Sequence, residues 1–118
     1  MKLTFLYVPV PELEPALTFY RDQLGLDEAW REGEGTVAFA LPSTDVQIMV
    51  DVPIGSEPNW QRGPMYLVDD LDTYMKEHAD LPQVGSVVDD PNIRFATYTD
   101  PGGNAFHVFE LGEAGTDA

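Results

Sequence analysis

Cysteine is absent and positive charge is scarce. The 118-residue chain holds no Cys, two His, and six Lys or Arg against 21 Asp or Glu. Without cysteine there are no disulfides, thiolate metal sites or thiol nucleophiles. The formal net charge of −15 creates a field that repels phosphate backbones, which argues against a nucleic-acid partner. It favours a cationic ligand, although solubility or a salt-adapted host accounts more simply for the same excess. No apolar run approaches a membrane span and the first residues form no signal-peptide core. The expectation is therefore a cytoplasmic protein with no membrane partner.

What is present is ordinary for a single globular domain: 43% hydrophobic and 11% aromatic residues, enough for one core. The chain also repeats itself. Val10-Pro11-Glu12-Leu13-Glu14 and Val68-Asp69-Asp70-Leu71-Asp72 open two similar amphipathic segments, and Val46-Gln47-Ile48-Met49-Val50 matches Phe106-His107-Val108-Phe109-Glu110. Two copies are too few for a solenoid and imply one pseudo-symmetric fold with a cleft between halves.

Each half reads as strand, helix, then three strands. In the first, residues 2–10 alternate, with Phe5 and Tyr7 on one face and Leu6, Val8 and Val10 on the other. Two apolar faces imply cover on both sides. Leu13, Leu17, Tyr20 and Leu24 follow at helical spacing, with Pro15 in the tolerant first turn and Gly25 as the C-terminal cap. Strands are expected near 27–31, 36–41 and 45–52. In the second half, strands are expected at 65–68, 83–88, 93–99 and 105–111. The helix between the first two is capped by Asp69 or Asp70 and carries Leu71, Met75 and His78 on one face. Modules of about 1–53 and 63–111 are thus joined by a Pro- and Gly-rich linker, 54–62, and followed by a small, polar tail, 112–118, expected to fray. Asp100-Pro101-Gly102-Gly103-Asn104 reads as a tight turn and not a phosphate loop, since no helix follows it and it has no lysine.

With Val10-Pro11-Glu12-Leu13-Glu14, Phe19-Tyr20-Arg21-Asp22 before Leu24-Gly25-Leu26, Val68-Asp69-Asp70-Leu71 and Asp100-Pro101-Gly102-Gly103-Asn104 in that order, the chain resembles the vicinal oxygen chelate superfamily of glyoxalases, bleomycin-resistance proteins and extradiol dioxygenases. The resemblance implies an α+β fold: two βαβββ modules in tandem, eight mixed strands curved around a central cavity, commonly in a homodimer. Metal-dependent members place His or Glu on four strands. The corresponding places here are Phe5, Gln47, Gly63 and His107, with Asp51 and Glu110 the nearest acids. Phe and Gly offer no donor, Gln is a weak one, and a lone imidazole does not hold a divalent metal. The resemblance thus carries the fold and not the metal; no cofactor is expected.

The candidate site residues follow from those strand faces. Tyr7, Met49, Met65 and Phe109 share faces with Phe5, Gln47, Gly63 and His107 and suit a flat, largely apolar ligand. Trp60, in the linker, is placed to cover the mouth or to bury itself against a second subunit. His107 is either a ligand contact or general base, or an interior histidine bonded to Gln47 across the pseudo-twofold. Arg94 and Tyr98 could add polar contacts, their direction unset by the sequence, and His78 is expected at the surface. Three functions remain open. One is a metal-free protein that binds a cationic or aromatic small molecule. Another is an enzyme: a metal-dependent lyase or dioxygenase with an atypical site, or a cofactor-free isomerase or epimerase using His107 as base. A regulatory domain with a protein partner is a third. The homodimer is expected from unpaired sheet edges and from Trp60 and Ile54 as contacts.

Overall fold

The computed structural model describes residues 1–112; residues 113–118, most of the expected frayed tail, lie outside the described residues. The chain runs β1 (Lys2–Pro9), α1 (Leu13–Leu17), β2 (Asp27–Glu32), β3 (Thr36–Ala40), β4 (Gln47–Asp51), β5 (Gly63–Leu67), α2 (Leu71–Glu77), β6 (Gln83–Asp89), β7 (Ile93–Thr99) and β8 (Ala105–Leu111). The βαβββ order of each half is as the periodicity predicts.

The two helices start differently. Asp70 caps α2, its side chain accepting from Thr73 N at 3.1 Å, which satisfies one orphan donor of the first turn. Glu12 makes no such bond to α1. After one α-helical turn α1 widens into a π-helical segment, Thr18–Gln23, in which Leu24 N bonds to Phe19 O, five residues back, at 2.8 Å. The wider turn carries later residues around the axis, so Leu24, predicted on the buried face, is 53% exposed and Phe19 45%. Gly25, at φ +73°, ends the segment as expected.

The strands form one eight-stranded sheet in the order β2-β3-β4-β1-β5-β8-β7-β6. In each module the first strand runs parallel to the last. Phe5 faces Gln47 across β1 and β4, and Met65 faces His107 across β5 and β8. The modules join where β1 and β5 pair antiparallel, with Phe5 opposite Met65. These pairings set the equivalence of the halves. The partner of Phe5 is Met65, not Gly63, because the strands repeat two positions out of step with the helices. Gly63 has a packing role instead: a Cβ there would lie 2.3 Å from the Ala105 carbonyl oxygen, so only glycine lets β5 approach β8.

One face of the sheet carries the helices. Ala16 and Leu17 of α1 pack on Val37, Phe39 and Val50, and Leu71 of α2 packs with Ala96, Tyr98 and Val108. Burying a leucine such as Leu71 stabilises the fold by about 1.5–3 kcal/mol. Each helix sits over its own module, which leaves the seam between them thinly covered: Leu3 and Leu6 of β1 are 37% and 36% exposed. The cover predicted on both faces of β1 is therefore partial. The opposite face curls around a third cluster containing Tyr7, Met49, Met65, Phe95 and Phe109.

The linker is anchored inside this chain. Asn59 is 2% exposed, and its Nδ2 donates to Val84 O at 3.3 Å and Ser86 O at 2.7 Å on β6. Gly85 between them is at φ +68°, and a Cβ there would stand 2.5 Å from Asn59 Oδ1. Trp60 packs against Tyr7 and Phe95 of its own chain, so of the two expected dimer contacts only Ile54, 99% exposed, remains outside. The β1 and β5 edges pair with each other, and the edges left are β2 and β6. β2 carries Asp27, Glu28 and Glu32, charges that oppose edge-to-edge pairing.

Candidate functional site

Alternation along the strands turns Phe5 and Tyr7 of β1, Met49 of β4 and Met65 of β5 to one side, where they wall a cavity of about 800 Å³. Trp30, Phe95 and the linker's Trp60 complete the apolar wall. The rings meet edge to face or tilted: Phe5–Trp30 at 5.8 Å, Trp60–Phe95 at 5.6 Å and Tyr7–Trp60 at 6.3 Å, the arrangement that aromatic quadrupoles favour. Both indole N–H groups are satisfied, Trp30 Nε1 by Gln47 Oε1 and Trp60 Nε1 by Glu57 Oε2, each at 2.8 Å.

Phe5, Tyr7, Met49, Trp60 and Met65 of the sequence-derived candidates thus lie on the wall. Gln47, His107 and Phe109 do not. Gln47 is spent on Trp30. Phe109 is fully buried below Phe5, with ring centroids 5.7 Å apart. His107 is 1% exposed, set edge-on between Tyr7 and Phe95 with both centroids at 5.5 Å. Its Nε2 lies 2.8 Å from Gln61 O and its Nδ1 2.8 Å from Thr97 Oγ1. A carbonyl oxygen only accepts, so Nε2 carries the proton and Nδ1 accepts from the threonine hydroxyl. Its partner is the linker backbone and not Gln47. Burial pushes the His107 pKa down, against a smaller opposing effect of the Gln61 carbonyl. A neutral imidazole with both nitrogens engaged has no lone pair to offer a substrate.

Sequence reasoning passed over the polar centre of the wall. Asp51, half-buried at the end of β4, accepts from Tyr7 Oη at Oδ2 and from Thr36 Oγ1 at Oδ1, both at 2.6 Å. Its signal was its parity: it alternates in phase with Gln47 and Met49. Burial first, then the hydrogen bond to Asp51, raises the Tyr7 pKa far above the usual phenol range, so Tyr7 stays protonated and donates. Exposed Glu32, Glu34, Asp89 and Asp90 ring the rim, where Asn92 Nδ2 donates to Glu32 Oε1 and links the β6–β7 turn to β2. Among the described residues five carboxylates line the cavity and no Lys or Arg does.

The remaining candidates point elsewhere. Arg94 turns to the helix side, 2.8 Å from Asp72 and 3.3 Å from Glu110, and Tyr98 packs with Leu71. His78 stacks on Tyr74 at 4.1 Å, half-buried, with Nδ1 2.9 Å from the Tyr74 carbonyl. In the turn after β7, Asp100 Oδ1 accepts from Gly102 N and Asn104 N at 2.8 and 2.9 Å, a side-chain-closed turn.

The donors do not fit a metal. The four positions that face one another are Phe5, Gln47, Met65 and His107, and His107 is fully engaged. Among the described residues no three His, Asp or Glu side chains come together as a metal site.

Comparison with known proteins agrees with this architecture. A family model, the Glyoxalase/Bleomycin resistance protein/Dioxygenase superfamily, matches residues 2–108. No curated protein matches the chain. Among solved structures, hypothetical protein BH1468 from Bacillus halodurans C-125 is similar at TM-score 0.70 and 16% identity, over 95% of each chain. Methylmalonyl-CoA epimerase from Mycobacterium tuberculosis is similar at 0.69 and 22%, over 99% of this chain and 92% of that one. The NAD-dependent benzaldehyde dehydrogenase from Legionella pneumophila is similar at 0.75 and 12%, over 91% and 97%. At such identities the likeness is one of fold, and the two activities named differ, so the fold selects neither. With the family model matched from the first strand into the last, the chain belongs to the Glyoxalase/Bleomycin resistance protein/Dioxygenase superfamily.

Proposed function

We propose that the protein binds a small organic molecule in its aromatic cavity and does so without a metal. The observation that carries this reading is the wall itself: an apolar cavity of about 800 Å³ faced by Phe5, Tyr7, Trp30, Met49, Trp60 and Met65. That size and lining suit a flat, largely apolar ligand. Its burial supplies affinity at roughly 25 cal/mol per Å² of apolar area removed from water, reduced by the cost of association. The acidic lining admits a positively charged ligand and repels an anionic one.

Titration with planar aromatic compounds, read by tryptophan fluorescence and calorimetry, tests this. Both indoles lie on the wall, so occupancy changes their emission. Silence across neutral and cationic aromatics would sink the reading. Metal analysis of protein purified without chelator is the second check, and stoichiometric Zn, Ni, Fe or Mn would overturn the metal-free assignment.

One version of the enzymatic alternative, a cofactor-free isomerase with His107 as base, is weaker on a specific observation: His107 is closed off from the cavity by Gln61 and Thr97.

A further inference from the structure

Among the described residues Asp51 is a carboxylate without a counter-charge. It stands half-buried in the wall of an apolar cavity, and each of its oxygens takes one hydroxyl donor, Tyr7 on Oδ2 and Thr36 on Oδ1. Ion pairs among the described residues involve Arg21, Arg31 and Arg94 and none reaches Asp51. No basic side chain among the described residues lines the cavity. A charge drawn into apolar surroundings is ordinarily paired. Two hydroxyls supply no positive charge and occupy one acceptor position on each oxygen. An ionised carboxylate has about four such positions, so about two stay free.

We infer that Asp51 is the anchor for a protonated amine, so that the ligand is a flat apolar body carrying an N–H-bearing cation. This rests on the proposed function and names its ligand class. Tyr7 and Thr36 fix the carboxylate in one orientation, so little conformational freedom is lost when an ammonium docks. The rings around it complement the same cation, because ring faces attract positive charge. Rings alone would suit a quaternary ammonium equally. The free acceptor positions on Asp51 distinguish the two, since only a cation with N–H groups fills them with charge-assisted hydrogen bonds. The exposed carboxylates of the rim draw cations in but, in water, discriminate weakly between them.

The test uses three probes on one aromatic body, naphthylmethylammonium, naphthylmethyl-trimethylammonium and naphthylmethanol, titrated by calorimetry into the wild-type protein and Asp51→Asn. The wild type is expected to bind the primary ammonium about tenfold more tightly than the alcohol, and more tightly than the trimethyl probe. In Asp51→Asn the preference over the alcohol collapses while the alcohol's own affinity holds. Equal wild-type affinities for ammonium and alcohol overturn the inference and leave the cavity reading standing, and this comparison decides even if the variant does not fold. A trimethyl probe that binds as tightly as the primary one overturns the hydrogen-bonded anchor. A folded Asp51→Asn that retains the full preference moves recognition to the rim and overturns it too. If none of the probes binds, the cavity reading falls with it.

Discussion

His107 Nε2 donates to the Gln61 carbonyl oxygen at 2.8 Å, and this single bond pins the linker to the last strand. With Thr97 on the other nitrogen, the imidazole is a strut between β7, β8 and residues 59–62. Replacing it by alanine strands a buried hydroxyl and a carbonyl and leaves a cavity. His107→Ala is expected to lower stability by about 2–4 kcal/mol in urea denaturation. A midpoint near that of the wild type would show that the strut carries little.

The same residue gives a pH dependence. Its folded pKa is depressed below the ordinary 6.5, so the unfolded chain binds the proton more readily. Stability from this source is complete above pH 6.5 and is lost as pH falls from there through the folded value. Thermal melts should therefore fall below pH 6.5, and His107→Gln should flatten that slope even if its starting stability is lower. An unchanged slope would assign the acid sensitivity to the carboxylates.

Gly63 and Gly33 separate two reasons for glycine. At Gly63 a Cβ would meet the Ala105 backbone, so Gly63→Ala should force β5 from β8 and cost about 3 kcal/mol or more. Gly33 is at φ +61° with open space around it, so Gly33→Ala should cost only about 1 kcal/mol and Gly33→Asn less. The ordering of the three midpoints is the measurement.

Asn59→Ala removes both donations to β6 and should cost about 1–3 kcal/mol. It should also hasten hydrogen exchange in the linker. Gly85→Ala should do likewise from the opposite side, through positive φ and contact with Asn59 Oδ1. Since they share one contact, the two changes together should cost less than their sum. Additivity would show that the clip is not a unit.

The βαβββ order was legible because alternation and helical spacing are local. Phe5, Tyr7, Met49 and Met65 were legible for the same reason, since parity along a strand fixes the face. His107 shares that parity, yet its role is decided by a carbonyl of Gln61, and backbone groups of a loop leave no trace in side-chain periodicity. Asp51 was visible only as an acid near a vacant metal position, because its meaning comes from Tyr7 and Thr36 on two other strands. Leu24 misled because a π-helical turn changes the helical period without a signature in composition. The register of Gly63 slipped because the motifs aligned helices, whose spacing differs from that of the strands by two residues.

The sheet has one seam. Among the described residues every other strand pairing lies within a module, and only β1 with β5 crosses between them. The covalent bridge over that seam includes residues 54–58, all exposed. A protease nick there would sever the chain without breaking a strand, and the fragments would stay associated through the β1–β5 ladder and the shared aromatic wall. The two halves are thus candidates for split-protein complementation, with ligand promoting reassembly because residues of both wall the cavity.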